Sequence, residues 1–237
     1  MDCSHFFIRH MTKNLFRLSL FLIPVFYAAF IYRANAQENP RKFSFAAEAG
    51  LRVSSGMQGG GLSAWAYRGF GRKQRFMAGL GIRHSSHFFK NRDFITAPAR
   101  FTSDEKNLDT LALSGSLHPV NLALDLRYCL NSTFALGFNI DLLGLSFGPK
   151  QKGKLKEFTA MAEPTKFNIL LVDDNDIGTV NSEFYLTCAF SKHLAGKLAF
   201  SYLYTEFTTD KKYIAGIDNN RYRNKSMGLA TSLQYCF

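Results

Sequence analysis

The chain has 237 residues, 20% of them charged and 15% aromatic, with 24 Phe and a formal net charge of +11. A disordered chain would be poor in aromatics, and a bundle of membrane helices would not average to the near-neutral mean hydropathy found here. A protein that crosses a membrane with strands is compatible with both, because its strands alternate polar and apolar faces.

The first segment reads as a targeting signal. Lys13 and Arg17 form a basic region, Leu18 to Tyr32 is an apolar run broken only by Ser19 and Pro24, and Ala34-Asn35-Ala36 supplies the small-x-small pattern of a cleavage site. Cleavage is expected after Ala36, which divides the chain into a signal peptide 1–36 and a mature barrel 37–237. Met11 opens a more conventional signal than Met1. The apolar run falls short of the roughly 20 residues that a spanning helix needs. No later run is long enough either, so a membrane-embedded mature chain must cross with strands.

Period-two alternation then recurs along the chain. Phe43, Phe45, Ala47, Ala49, Leu51 and Val53 share one face of a first strand, against Ser44, Ala46, Glu48, Gly50 and Arg52. A second strand, about Gly59 to Phe70, sets Ser63, Trp65 and Tyr67 together. The third puts Phe76, Ala78, Leu80 and Ile82 outward and Met77, Gly79, Gly81 and Arg83 inward. The fourth puts Val120, Leu122, Leu124, Leu126 and Tyr128 outward, with Asn121, Ala123, Asp125 and Arg127 inward. In the fifth, Phe134, Leu136, Phe138, Ile140 and Leu142 oppose Ala135, Gly137, Asn139 and Asp141. The sixth opposes Phe184, Leu186, Cys188 and Phe190 to Glu183, Tyr185 and Thr187. The seventh opposes Leu198, Phe200, Tyr202 and Tyr204 to Ala199, Ser201 and Thr205. In the last, Met227, Leu229, Thr231, Leu233, Tyr235 and Phe237 oppose Gly228, Ala230, Ser232, Gln234 and Cys236.

The connections alternate in length. Gly71 to Gln74, Leu130 to Thr133 and Ser191 to Gly196 are short turns, whereas about His84 to Asp109, Gly148 to Gly178 and Thr208 to Lys225 read as long loops. That is the plan of an all-β, closed, antiparallel up-and-down transmembrane β-barrel of eight strands, with short turns on the periplasmic side. An apolar stretch at Lys166 to Val172 allows ten strands. A soluble sandwich also alternates, but the Gly-rich polar faces suit a cramped interior better than a solvated surface. Glu48, Arg52, Arg83, Asp125, Arg127, Asn139 and Asp141 must then neutralise one another inside, since buried charges need partners.

Two stretches carry a family resemblance. The tail Leu229-x-Thr231-x-Leu233-x-Tyr235-x-Phe237 is similar to the terminal signature of Gram-negative outer-membrane proteins, and Gly137 to Gly148 resembles a strand of small porin-like barrels of the outer membrane protein beta-barrel domain class. The resemblance implies an integral outer-membrane barrel in the OmpA- or OmpX-like size class, with Leu233, Tyr235 and Phe237 read by the barrel-assembly machinery. It implies no catalytic residue.

Little chemistry is visible beyond this. Gly59-Gly60-Gly61 lacks the Lys and following helix of a phosphate loop, and Asp173-Asp174-Asn175-Asp176 lacks the glycine and distal Glu of a calcium loop. No metal site and no cofactor is expected. Cys129, Cys188 and Cys236 remain after cleavage, an odd number without metal spacing, the first and last in interior phase and Cys188 outward. Lys150, Lys152, Lys154 and Lys156 form a basic patch suited to lipopolysaccharide head groups rather than nucleic acid. His84 and Ser86, outward on the third strand, are weak catalytic candidates that resemble lipid A deacylase barrels; Glu206 would have to orient the His. The expected function is a structural or surface-interaction barrel working through its outer loops on an unknown extracellular ligand. A small porin or ligand-carrying barrel is the alternative, and a lipid A-modifying enzyme the third reading.

Overall fold

The computed structural model describes residues 43–98, 109–155, 158–171, 175–210 and 219–237, and every regular element among them is a strand. These are β1 (Phe43–Ser54), β2 (Met57–Phe70), β3 (Phe76–Thr96), β4 (Thr110–Cys129), β5 (Phe134–Phe147), β6 (Gln151–Leu155), β7 (Phe158–Pro164), β8 (Phe167–Ile169), β9 (Val180–Ala189), β10 (Leu194–Thr209) and β11 (Arg221–Cys236). All pairings are antiparallel. β5 and β6 lie in succession along β4, and β7, β8 and β9 form one interrupted descending line opposite them. Eleven segments therefore make eight strand lines.

The ring β11–β1–β2–β3–β4–β5–β9–β10 closes on itself through β10–β11 pairing. Its outer surface is apolar: Phe45 is 60% exposed, Leu62 65% and Phe184 67%. A contiguous belt of such residues has no place in water, and with a polar interior it identifies a transmembrane barrel. Phe43, Phe70, Phe76, Tyr128, Tyr235 and Phe237 gather at the short-turn rim, where aromatic rings suit the lipid–water interface.

A second ring stands on the first. The β1–β2 hairpin turns early at Ser55-Gly56, where Gly56 takes φ 68°, a backbone that glycine adopts without strain. Above it β3 and β11 meet directly, Thr96 opposite Tyr222 and Ile95 opposite Arg223. β4 pairs with β6, β6 with β7, and β7 with β10, so six strands close over the hairpin. Inside this narrower ring lies an apolar core of Phe89, Phe94, Leu111, Leu113, Leu117, Leu155, Leu203, Phe207 and Tyr222, capped from below by Met57 at the hairpin tip. Phe89, Phe94 and Phe207 meet edge to face at centroid distances of 5.1–5.6 Å, a favoured aromatic packing. Burial, with a smaller push from Asp109, raises the Tyr222 phenol to about 12.

The structure thus replaces the expected long loops with strand. His84 to Thr96 continues β3, Thr110 to Pro119 begins β4 ten residues early, and the span from Gly148 contains β6, β7 and β8. Two register breaks hide this from simple alternation. One lies between Phe89 and Arg92; the other, between Leu122 and Ala123, leaves Leu142 without a partner on β4 and half-buried. Beyond that break Leu143, Leu145 and Phe147 take the outward face. Among the described residues of Lys166 to Val172, Phe167–Ile169 alone is strand, an insert in an existing line, so the membrane ring keeps eight strands. The signal 1–36 lies outside the described residues.

Candidate functional site

The lumen is filled at three levels. Lowest, near the short turns, Arg127 sits among four groups from three other strands and its own. It donates to Tyr67 Oη at 2.8 Å, Tyr185 Oη at 3.2 Å and Gln234 Oε1 at 3.1 Å, with Asp125 at 4.0 Å. Tyr185 donates its hydroxyl to Asp125 at 2.7 Å. The rings fit because glycines face them: a Cβ at Gly79 would stand 2.5 Å from the Tyr67 ring, and those at Gly81 and Gly137 would collide with Trp65 and Tyr185. Small residues on one wall make room for large ones on the next, which is how an eight-strand interior packs shut.

At mid-height lies a charged network. Arg83 meets Asp141 at 3.3 Å and bonds to Asn139; Asn139 donates to Glu183 at 3.0 Å. Lys197 holds Glu183 at 2.8 Å and also pairs with Glu48, which accepts from Ser232 Oγ at 2.6 Å. Asn121 and the Asn181 amide donate to the other oxygen of Asp141 at 2.8 and 3.0 Å. One step higher Arg52 donates to Ser201 Oγ at 2.8 Å and the Ser226 carbonyl at 2.7 Å. Beside the network remains a cavity of about 50 Å³, lined in part by Arg52, Arg83, His87 and Lys197. His87 is 3% exposed and neither ring nitrogen has a hydrogen-bond partner. The third level is the apolar core of the six-strand ring.

All seven interior residues named from sequence point inward. The structure joins Glu48, Arg83, Asn139 and Asp141 through Glu183 and Lys197, and places Asp125 and Arg127 in the layer below. Arg52 bonds only to serine oxygens there. Glu183, Lys197, Tyr67, Tyr185 and Gln234 were not part of the set expected from sequence. Lys197 has a signal, since it shares the phase of Ala195 and Ala199 in a strand otherwise free of charge until Glu206.

The outward candidates do not assemble as expected. His84 is exposed, and Ser86 Oγ lies 2.9 Å from Nδ1 of His118 on β4, not against His84. Glu206 is not an orienter for either histidine. It is fully buried in the outer ring, held by Arg221 through two 2.8 Å bonds and by Thr165 and Tyr204. Those bonds raise the Arg221 guanidinium above its ordinary range. Tyr204, expected to face outward, is 1% exposed, and Cys188, in outward phase opposite Phe134, is 5% exposed. Lys152 and Lys154 are exposed on β6, Lys150 approaches Glu163 at 3.9 Å, and Lys156 lies outside the described residues. Leu233, Tyr235 and Phe237 face outward at the rim, where the Phe237 amide donates to the Phe45 carbonyl at 3.0 Å.

No protein-family model and no curated protein matches the chain. Among solved structures, Neisserial surface protein A is similar at 12% identity, covering 82% of this chain and 97% of that one, with a TM-score of 0.37. Ail, the attachment invasion locus protein of Yersinia pestis, aligns at 8% identity over 82% of this chain and 96% of that one, TM-score 0.38. The toluene transporter TodX of Pseudomonas putida aligns at 8% identity over 88% and 92%, TM-score 0.21. At such scores the barrel assignment stands on the chain's own strand pairing and surface.

Proposed function

We propose that this chain is a non-conducting barrel of the bacterial outer membrane, serving as a rigid stand for a surface-interaction site on its six-strand ring. The observation that carries the reading is the double closure of the lumen, by a charged network at mid-height and by an apolar core above it. A cavity of about 50 Å³ has room for one or two waters, far below the roughly 300 Å³ of a small-molecule pocket. A pore or luminal carrier would need side chains from both layers to withdraw together.

The short turns then face the periplasm and the ring faces outward, as in barrels of this plan. The exposure of Lys152 and Lys154 on the ring supports contact with the phosphates of lipopolysaccharide, and that of Leu233, Tyr235 and Phe237 supports recognition by the assembly machinery. No catalytic step belongs to this proposal. The decisive experiment is single-channel recording of the purified barrel in planar bilayers at both polarities. Silence is expected; reproducible stepwise currents would refute the proposal in favour of a porin.

A further inference from the structure

Within the charged layer the lumen carries a row without bulk. On the inward face Ser85, Gly61, Gly50 and Ser232 stand opposite one another across β3, β2, β1 and β11. The row beneath holds Arg83, Ser63 and Glu48, and the row above holds His87, Gly59 and Arg52. The cavity of about 50 Å³ opens along the small row, lined by residues of all three. A run of glycines such as Gly59–Gly61 weakens a strand, and in strands glycine marks the close approach of a ligand or of another backbone.

Arg52 and His87 flank Gly59 from its two neighbouring strands, so their backbones stand roughly 10 Å apart. The His87 ring covers the glycine, where a Cβ would lie 2.9 Å from Nδ1. Arg83, Arg127 and Lys197 each have a carboxylate within 4.0 Å, whereas Arg52 has none among the described residues. Its guanidinium donates only to uncharged oxygens of Ser54, Ser201 and Ser226. The layer is neutral in sum, since Glu48, Glu183 and Asp141 match Arg52, Arg83 and Lys197, but it is polarised: Lys197 lies between two carboxylates and Arg52 faces none. A buried charge needs a partner. Beside Arg52, His87 is buried with both ring nitrogens unpartnered among the described residues. Glu48 and Glu183, the carboxylates on the lining, are engaged by Lys197. Donors are therefore left without a charged acceptor.

We infer that Arg52 and His87 hold a small monovalent anion, chloride, in this cavity. The volume suits an ion little larger than a water molecule. The ion alone brings the layer to −1, and a proton taken up by the imidazole returns it to zero, with both ring nitrogens then donors. The chargeable groups acting on the imidazole are Arg52 on β1, Arg83 and His84 on its own strand, and His118 on β4, all of them bases. Its register partners on β2 and β4, Gly59 and Leu117, carry no charge. An anion beside His87 offsets that company, so chloride and the proton bind together, and affinity rises as pH falls.

The test refolds the full barrel into detergent in chloride, bromide or gluconate at one ionic strength, so that the ion is present as the lumen closes. Crystals grown in bromide are expected to show an anomalous peak in contact with Arg52 and His87. Chloride NMR line broadening should saturate at one ion per chain, with affinity rising about tenfold or more from pH 8 to pH 6. Arg52→Gln should weaken binding about tenfold or more. His87→Phe keeps the bulk of the ring and should abolish the pH dependence, whereas Arg72→Gln, exposed in a short turn, should change nothing. Heat-modifiable migration on gels reports that each variant folds. Water in place of bromide in the wild-type lumen, or saturable chloride binding that survives Arg52→Gln or ignores pH, would overturn the assignment.

Discussion

Replacing Lys197 with Met tests the charged layer most directly. The ammonium is only 5% exposed and pairs with two carboxylates, Glu48 and Glu183. The two would fare differently without it. Glu183 keeps Asn139 at 3.0 Å, Asn181 at 3.1 Å and Arg83 at 4.0 Å, whereas Glu48 keeps only the Ser232 hydroxyl among the described contacts. Met fills most of the volume, so the loss is mainly electrostatic, and stranding a buried charge costs about 3–5 kcal/mol. The stranded charge is chiefly Glu48. Adding Glu48→Gln to Lys197→Met should therefore recover about 2 kcal/mol or more, a coupling readable in a double-mutant cycle. Urea unfolding in lipid vesicles measures it, and the single tryptophan, Trp65, reports from inside the lumen, with the Arg83 guanidinium 5.7 Å from its ring. A Lys197→Met variant within 1 kcal/mol of wild type, or a double variant as unstable as the two singles summed, would refute the role given to this network.

Three further outcomes are expected. Gly79→Ala pushes a methyl into the Tyr67 ring and should cost about 1–3 kcal/mol, whereas Gly71→Ala, whose Cβ meets nothing within 4 Å, suffers only from its φ of 78°; equal unfolding midpoints for Gly79→Ala and wild type would contradict the packing. Phe207→Ala removes the ring at the centre of the upper core and should cost about 3–5 kcal/mol there, exposing β3 and β10 to limited proteolysis above the membrane while the lower barrel stays heat-modifiable. Ser86→Ala should leave lipid A acyl chains unchanged by mass spectrometry, since Ser86 and His118 make a pair without a third member among the described contacts; a shifted acyl pattern would revive the enzyme reading.

The membrane half of the fold is legible in the sequence because lipid imposes a strict rule. Every outward position of β1, from Phe43 to Val53, must be apolar or small, and period two shows it. The outer ring obeys a different rule and is far less legible. Its strands bury apolar side chains inward, so Leu113 and Leu117 face the core while Val120 and Leu122, a few residues on, face lipid. A strand whose apolar face changes sides looks aperiodic, and the bulges at Phe89/Arg92 and Leu122/Ala123 scramble the phase further. Charged interior positions could be found from alternation, but their partners could not. Pairing Lys197 with Glu48 depends on which strands close the ring, a long-range fact that no local pattern holds. The Ser86–His118 contact was missed for the same reason, since it spans two strands and depends on the register in which they pair.

β11 completes both rings at once. In the membrane it joins β1 to β10, and above the membrane it joins β3 to β10. The outer ring and the membrane barrel therefore share one closing strand, and neither is complete until it pairs. Until that strand arrives, Phe94, Leu113 and Phe207 are open to water, and a partly zipped molecule advertises its own incompleteness. Non-local closure of this kind is slow. A molecule in which β11 has not paired therefore exposes an open barrel edge and the apolar lining of the outer ring together, so one missing seam disables both halves of the fold.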